Sequence, residues 1–178
     1  MKYAQDGVVA YAFRTFKRGT KILEYGFIDE SFANFFAFSG FDFLSVSDDE
    51  NLLNLAKANF KNGGGLEHFC LKSQFDKSLK FDGIFSYLAL NYEQNPQNFV
   101  DEIYLLLQNG QKFLVSVFTS NDTHSHLQTN NTKTPKTFSR DELTKMFAKF
   151  KNLDINLTQT SYENGKFLKE LFIITGEK

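Results

Sequence analysis

The feature that most constrains this chain is an alternation. From Val8 to about residue 150, short apolar runs of strand length take turns with amphipathic segments of helical spacing. VVAYAFRTFKR (8–18) has helical spacing and stops at Gly19. KILEY (21–25) is an apolar strand that turns at Gly26, and ESFANFFAFSG is a helix starting near Ser31 and stopped by Gly40. FDFLSVS (41–47) is the next strand. DDENLLNLAKANF is the next helix, and Ser47-x-x-Glu50 has the spacing of a capping box at its start. KNGGG (61–65) connects to a short strand, LEHFCLK. FDGIFSYLAL (81–90) is an apolar strand in which Gly83 allows close approach. PQNFVDEIYLLLQNG is a helix with proline in its first turn, and QKFLVSVFTS is a buried strand.

The rhythm then changes. NDTHSHLQTNNTKTPKT (121–137) is a long polar loop without periodicity, of the length that lids and binding loops have. Ser139 and Glu142 form a second capping box, with Phe138 spaced to staple onto Leu143 at the head of SRDELTKMFAKF. The last segment reads as two alternating strands around Glu163-Asn164-Gly165, a hairpin signal. Alternating strands and helices imply parallel pairing with helices on both faces. The expectation is one α/β domain over residues 1–178, its mostly parallel sheet closed by a C-terminal antiparallel hairpin.

Composition narrows the function. A formal charge of −1 offers no basic excess for phosphates, so no nucleic-acid partner is expected. No apolar run approaches the ~20 residues of a membrane helix, and the N-terminus is a poor signal peptide. The single cysteine, Cys70, excludes an internal disulfide and suits a reducing compartment, so a cytoplasmic location is expected. His124 and His126 read as solvated loop residues; a general base or a metal pair is the alternative. His68 and Cys70 share a strand face and read as packing. Phe13, Phe16, Phe35, Phe36 and Phe38 read as core, with some available for an exposed pairing surface. NGGG (62–65) follows a helix, whereas a phosphate loop follows a strand.

The succession resembles the class I S-adenosylmethionine-dependent methyltransferase fold, over nearly the whole chain. FDGIFSYLALNY followed by PQNFVDEIYLLLQNGQKFLVSVF resembles that family's fourth strand, fourth helix and fifth strand, with Gln111 at the second glycine of the family's turn. TFSRDELTKMF resembles the helix start after its fifth strand. The resemblance implies a Rossmann-like sheet, S-adenosylmethionine as cofactor, and an acceptor that is a small molecule if the protein is active. It also implies cofactor contacts at Glu24 and Gly26 after strand one, at Ser47 or Asp48 after strand two, and at Ser86 and Tyr87 after strand four, with Asn91 and Tyr92 nearby.

Against that pattern the chain departs in several places. Ile28 and Glu30 stand where the second and third glycines would let the backbone approach a ligand without a Cβ in the way. Ser47 stands where a carboxylate would accept both ribose hydroxyls, and serine cannot make that paired acceptance. Leu71, Lys72 and Ser73 stand where a Gly-Asp pair is usual, with Asp76 farther along. Each lost contact is worth about 1–3 kcal/mol. No catalytic residue is assigned. Two functions follow: a methyltransferase, or a non-catalytic descendant that has lost the cofactor and serves as a binding or assembly module with a protein partner.

Overall fold

A computed structural model describes residues 6–28, 31–60, 66–123, 134–162, 164 and 166–178. Its elements are α1 (Asp6–Thr15), β1 (Lys21–Tyr25), α2 (Ser31–Ser39), β2 (Asp42–Ser47), α3 (Glu50–Asn59), β3 (Phe69–Leu71), β4 (Phe81–Tyr87), α4 (Pro96–Leu106), β5 (Leu107–Phe118), α5 (Arg140–Met146), β6 (Lys151–Tyr162) and β7 (Phe167–Glu177). The strands form one seven-stranded sheet in the order β3-β2-β1-β4-β5-β7-β6. β1 pairs parallel with β2 and β4, and β4 with β5, whereas β7 runs antiparallel between β5 and β6. The expected parallel sheet with a C-terminal hairpin is what forms. Strand order reverses between β1 and β4, which makes their carboxyl ends the switch point where open α/β sheets take ligands.

Side chains alternate across the sheet and build two cores. One face holds Leu23, Tyr25, Ile84, Phe113 and Val115 against α4 (Phe99, Val100, Ile103), Leu143 of α5 and Phe147 just past its end. The other holds Ile22, Phe43, Phe85 and Leu114 against α1 (Val8, Ala12) and Phe16 just past its end, α2 (Phe32, Ala33, Phe36) and α3 (Leu53, Ala56). Gly83 does what its position in an apolar strand suggests, for a Cβ there would lie 2.9 Å from the ring of Phe16. The capping box at Ser139 and Glu142 forms, and Phe138 is buried with Leu143.

Several local expectations are corrected. The head of α3 is not a Ser47–Glu50 box. Asp49 is the N-cap, accepting from the Asn51 and Leu52 N–H groups, so the helix starts two residues later than that box requires. β4 stops at Tyr87 because Leu88 takes a left-handed φ of 59°, and a 3-10 turn, Ala89–Tyr92, replaces the expected strand end. α4 ends at Leu106, and the Gln108–Gly110 segment belongs to β5, where the Gly110 N–H donates to Lys178 O at 2.9 Å. Of the loop 121–137, residues 124–133, with His124 and His126, lie outside the described residues.

Candidate functional site

The turn after β1 is built on the backbone of β2. The Gly26 and Phe27 N–H groups both donate to Val46 O, at 2.8 and 3.1 Å. Gly26 has a φ of 72°, a conformation that favours glycine. A Cβ on Gly26 would lie 2.8 Å from the Ala89 Cβ and 3.2 Å from the Phe99 ring. The turn after β1 therefore lies against the turn after β4, with α4 behind, and the Cα of the half-buried Gly26 is backed by the protein's own side chains. Phe27 is buried, and Ile28 packs against both cores. Glu30 lies outside the described residues.

Glu24 is buried one residue before Tyr25 and accepts a hydrogen bond from Ser45 Oγ of β2 at 2.5 Å. Ser47 is buried as well. Its hydroxyl accepts from the Asp49 N–H at 3.2 Å and donates to Phe27 O at 3.4 Å, tying the two turns together. Asp48 is exposed and pairs with Lys72 at 3.8 Å. Ser86 is fully buried at the end of β4, and its hydroxyl has no hydrogen-bond partner among the described residues. Tyr87 is on the opposite sheet face. It packs on Phe32 of α2 at 4.9 Å, and its hydroxyl takes a 2.7 Å hydrogen bond from the buried Lys169. Asn91 is a latch, its Nδ2 donating to Lys136 O and its Oδ1 accepting from the Phe118 N–H.

The structure also assembles a cluster that no spacing rule joins. The Lys72 ammonium, just past β3, lies 4.9 Å from the Tyr25 ring centroid and 5.6 Å from that of Phe99. Glu93 and Glu102 flank it at 3.7 and 3.5 Å. Cation–π attraction and three carboxylates hold it in a recess where its side chain is 17% exposed. Tyr25 donates to Glu102 Oε2 at 2.6 Å, and Lys77 donates to the other oxygen at 2.5 Å. Burial raises the Tyr25 hydroxyl's pKa far above its ordinary range, and the Glu102 carboxylate adds to this. Burial also pushes Glu93 up, only partly offset by the charge of Lys72. For Glu102 burial acts upward too, but the bonds from Lys77 and Tyr25 and the nearby ammonium charges outweigh it, and the net direction is down. The one sequence hint was Lys72, standing where a Gly-Asp pair was expected.

A second buried polar group lies near the amino end of β7, beside the carboxyl end of β5. Glu170 accepts from Thr119 Oγ1, from Asn121 Nδ2 at 3.1 Å and from Gln159 Nε2 at 2.5 Å, and its own N–H donates to Asp122. His68 lies in the 3-10 turn before β3 and not on a strand face with Cys70 as expected; it stacks on Phe43 at 4.5 Å with Nδ1 2.8 Å from Phe43 O, and Cys70 packs on the core, so both still serve packing. Among the described residues no group of three or more His, Cys, Asp or Glu side chains is placed to hold a metal.

No protein-family model and no curated protein sequence matches the chain. Solved structures do. A SAM-dependent methyltransferase from Methanosarcina mazei superposes with a TM-score of 0.69 at 14% identity, over 99% of each chain. This is the class I methyltransferase fold. The N-methyltransferase NodS of Bradyrhizobium japonicum, solved with S-adenosyl-L-homocysteine, gives 0.69 at 12% identity over 97% of this chain and 84% of its own. A methyltransferase in complex with the Trm112 methyltransferase activator of Haloferax volcanii gives 0.67 at 15% identity, over 96% and 87%. At these identities the likeness is one of fold. No helix among the described residues is long and apolar enough to cross a membrane.

Proposed function

We propose that this chain is a methyltransferase-fold protein that has lost its cofactor and works as a binding or assembly module. The observation that carries the reading is the packing at the switch point, where the Cα of Gly26 is backed by Ala89 and Phe99. In a sheet of this type a ligand needs a crevice there and backbone free to approach it. The residues present do not fit S-adenosylmethionine. The Ser47 hydroxyl, at the position of the ribose-binding carboxylate, is committed to Asp49 and Phe27. That a neighbour of the same fold is held in a complex with a protein activator is consistent with a protein partner for this chain.

A second reading keeps the enzyme, with S-adenosylmethionine held by Glu24, Gly26, Ser47, Asp48, Ser86 and Tyr87 and its methyl passed to a small-molecule acceptor. One observation favours it: the buried Ser86 hydroxyl at the end of β4 is unpartnered among the described residues. Calorimetric titration with S-adenosylmethionine and S-adenosylhomocysteine separates the two. The first reading expects no saturable heat up to millimolar ligand. Saturable binding in the micromolar range would return the chain to the enzymes.

A further inference from the structure

The helical layer formed by α1 and α2 exposes phenylalanines. Phe38 is 70% exposed and Phe13 is 55% exposed, whereas Phe36 of α2 and Phe16, just past the end of α1, are buried. Phe35 is half-buried between them. Its ring meets Phe13 edge to face at 5.3 Å, and both rings lie 6.2 Å from Phe41. Phe38 is three residues past Phe35, on the same side of α2. The Phe13 ring thus rests on an aromatic layer anchored in the core, a pre-organised surface with little side-chain entropy to lose on contact, and Phe38 extends it.

Charge says what such a surface takes. There is no acidic residue from Gly7 to Leu23 or from Ser31 to Phe41, yet the first stretch carries Arg14, Lys17 and Arg18, all exposed. Arg18 reaches across to α2, its Nε lying 2.8 Å from where a Cβ of Gly40 would be. The nearest acid along the adjoining strands is Asp42, paired in register with Lys21. In a chain of net charge −1, the positive charge at this face is local and stands beside the apolar rings.

We infer that the face of Phe13, Phe35 and Phe38, rimmed by Arg14, Lys17 and Arg18, docks an acidic amphipathic segment of another protein. Its apolar side chains seat on the rings and its carboxylates meet the rim. The inference rests on the binding-module reading and names the partner's chemistry. A helix whose apolar anchors recur every three to four residues suits a surface made by two packed helices. An anionic membrane is a poorer match, since α1 is one short helix and not a long one with a basic face.

The test uses the full chain and a fluorescent synthetic helix with leucines on one face and glutamates on the other. Its control has the same composition with the leucines scattered. Anisotropy is expected to show saturable binding of the first peptide, weakened at least about ten-fold in the control, in Phe38→Ser and in Phe13→Ser. Arg14→Glu with Lys17→Glu is expected to weaken binding and flatten its salt dependence. These sites are exposed, and circular dichroism checks that the variants fold. The inference is overturned by any of four results: no binding, equal binding by wild type and Phe38→Ser, uptake by phosphatidylserine vesicles but not by the peptide, or a Phe38-dependent dimer in ultracentrifugation. None of these results touches the cofactor titration, so failure here leaves the loss of the cofactor standing.

Discussion

Replacing Gly26 with alanine separates a glycine kept for packing from one kept for a ligand. The residue has a φ of 72°, and moving an L-residue into that region costs about 1–2 kcal/mol. The new Cβ would also lie 2.8 Å from Ala89 and 3.2 Å from Phe99, and such overpacking costs about 1–3 kcal/mol. Gly26→Ala should therefore lose about 2–5 kcal/mol in urea unfolding with no ligand present. Ala89→Gly removes the nearer clashing atom but leaves the backbone strain. Combined with Gly26→Ala, it should restore part of the loss, as a favourable coupling of about 1–3 kcal/mol in the double-mutant cycle. Equilibrium curves for the four proteins, with unchanged m-values, give each number. If Gly26→Ala matches the wild type within about 0.5 kcal/mol and shows no coupling to Ala89, the turn has room beside it and the reasoning fails.

Other consequences follow from the same geometry. Asp49→Ala should cost about 1 kcal/mol of stability, while Glu50→Ala should cost little, because Asp49 is the helix cap. Tyr25→Phe deletes a hydrogen bond to the Glu102 carboxylate and should cost about 1–2 kcal/mol by denaturant titration. Burial pushes Glu170 upward, but the bonds from Thr119, Gln159 and Asn121 outweigh it and hold its carboxyl below the ordinary 4.5. The stability it contributes is complete above that value and is lost as pH falls through the folded-state pKa. Glu170→Gln should flatten the acid limb of a stability–pH curve, and an unchanged limb would show that the carboxylate contributes nothing there.

The architecture was legible because local signals agreed with one another. Apolar strands alternated with capped helices, Ser139 and Glu142 marked a helix start, and Asn164-Gly165 marked the hairpin between β6 and β7. The departures from a cofactor turn at Ile28 and Ser47 were legible too, as residue types. What backs the switch point was not. Gly26, Ala89 and Phe99 meet only through the crossover from β1 to α4, and no local pattern links positions so far apart. The cluster of Tyr25, Lys72, Glu93 and Glu102 stayed hidden for the same reason. α2 carries phenylalanine nearly all round, so helical spacing alone did not separate buried Phe36 from exposed Phe38.

The most direct test of a switch point packed from within is the amide spectrum of isotope-labelled protein titrated with S-adenosylhomocysteine. The account predicts that Gly26, Phe27, Ser47 and Ala89 keep their positions up to millimolar ligand. Saturable shifts centred on those four amides would show an open cofactor site and contradict it.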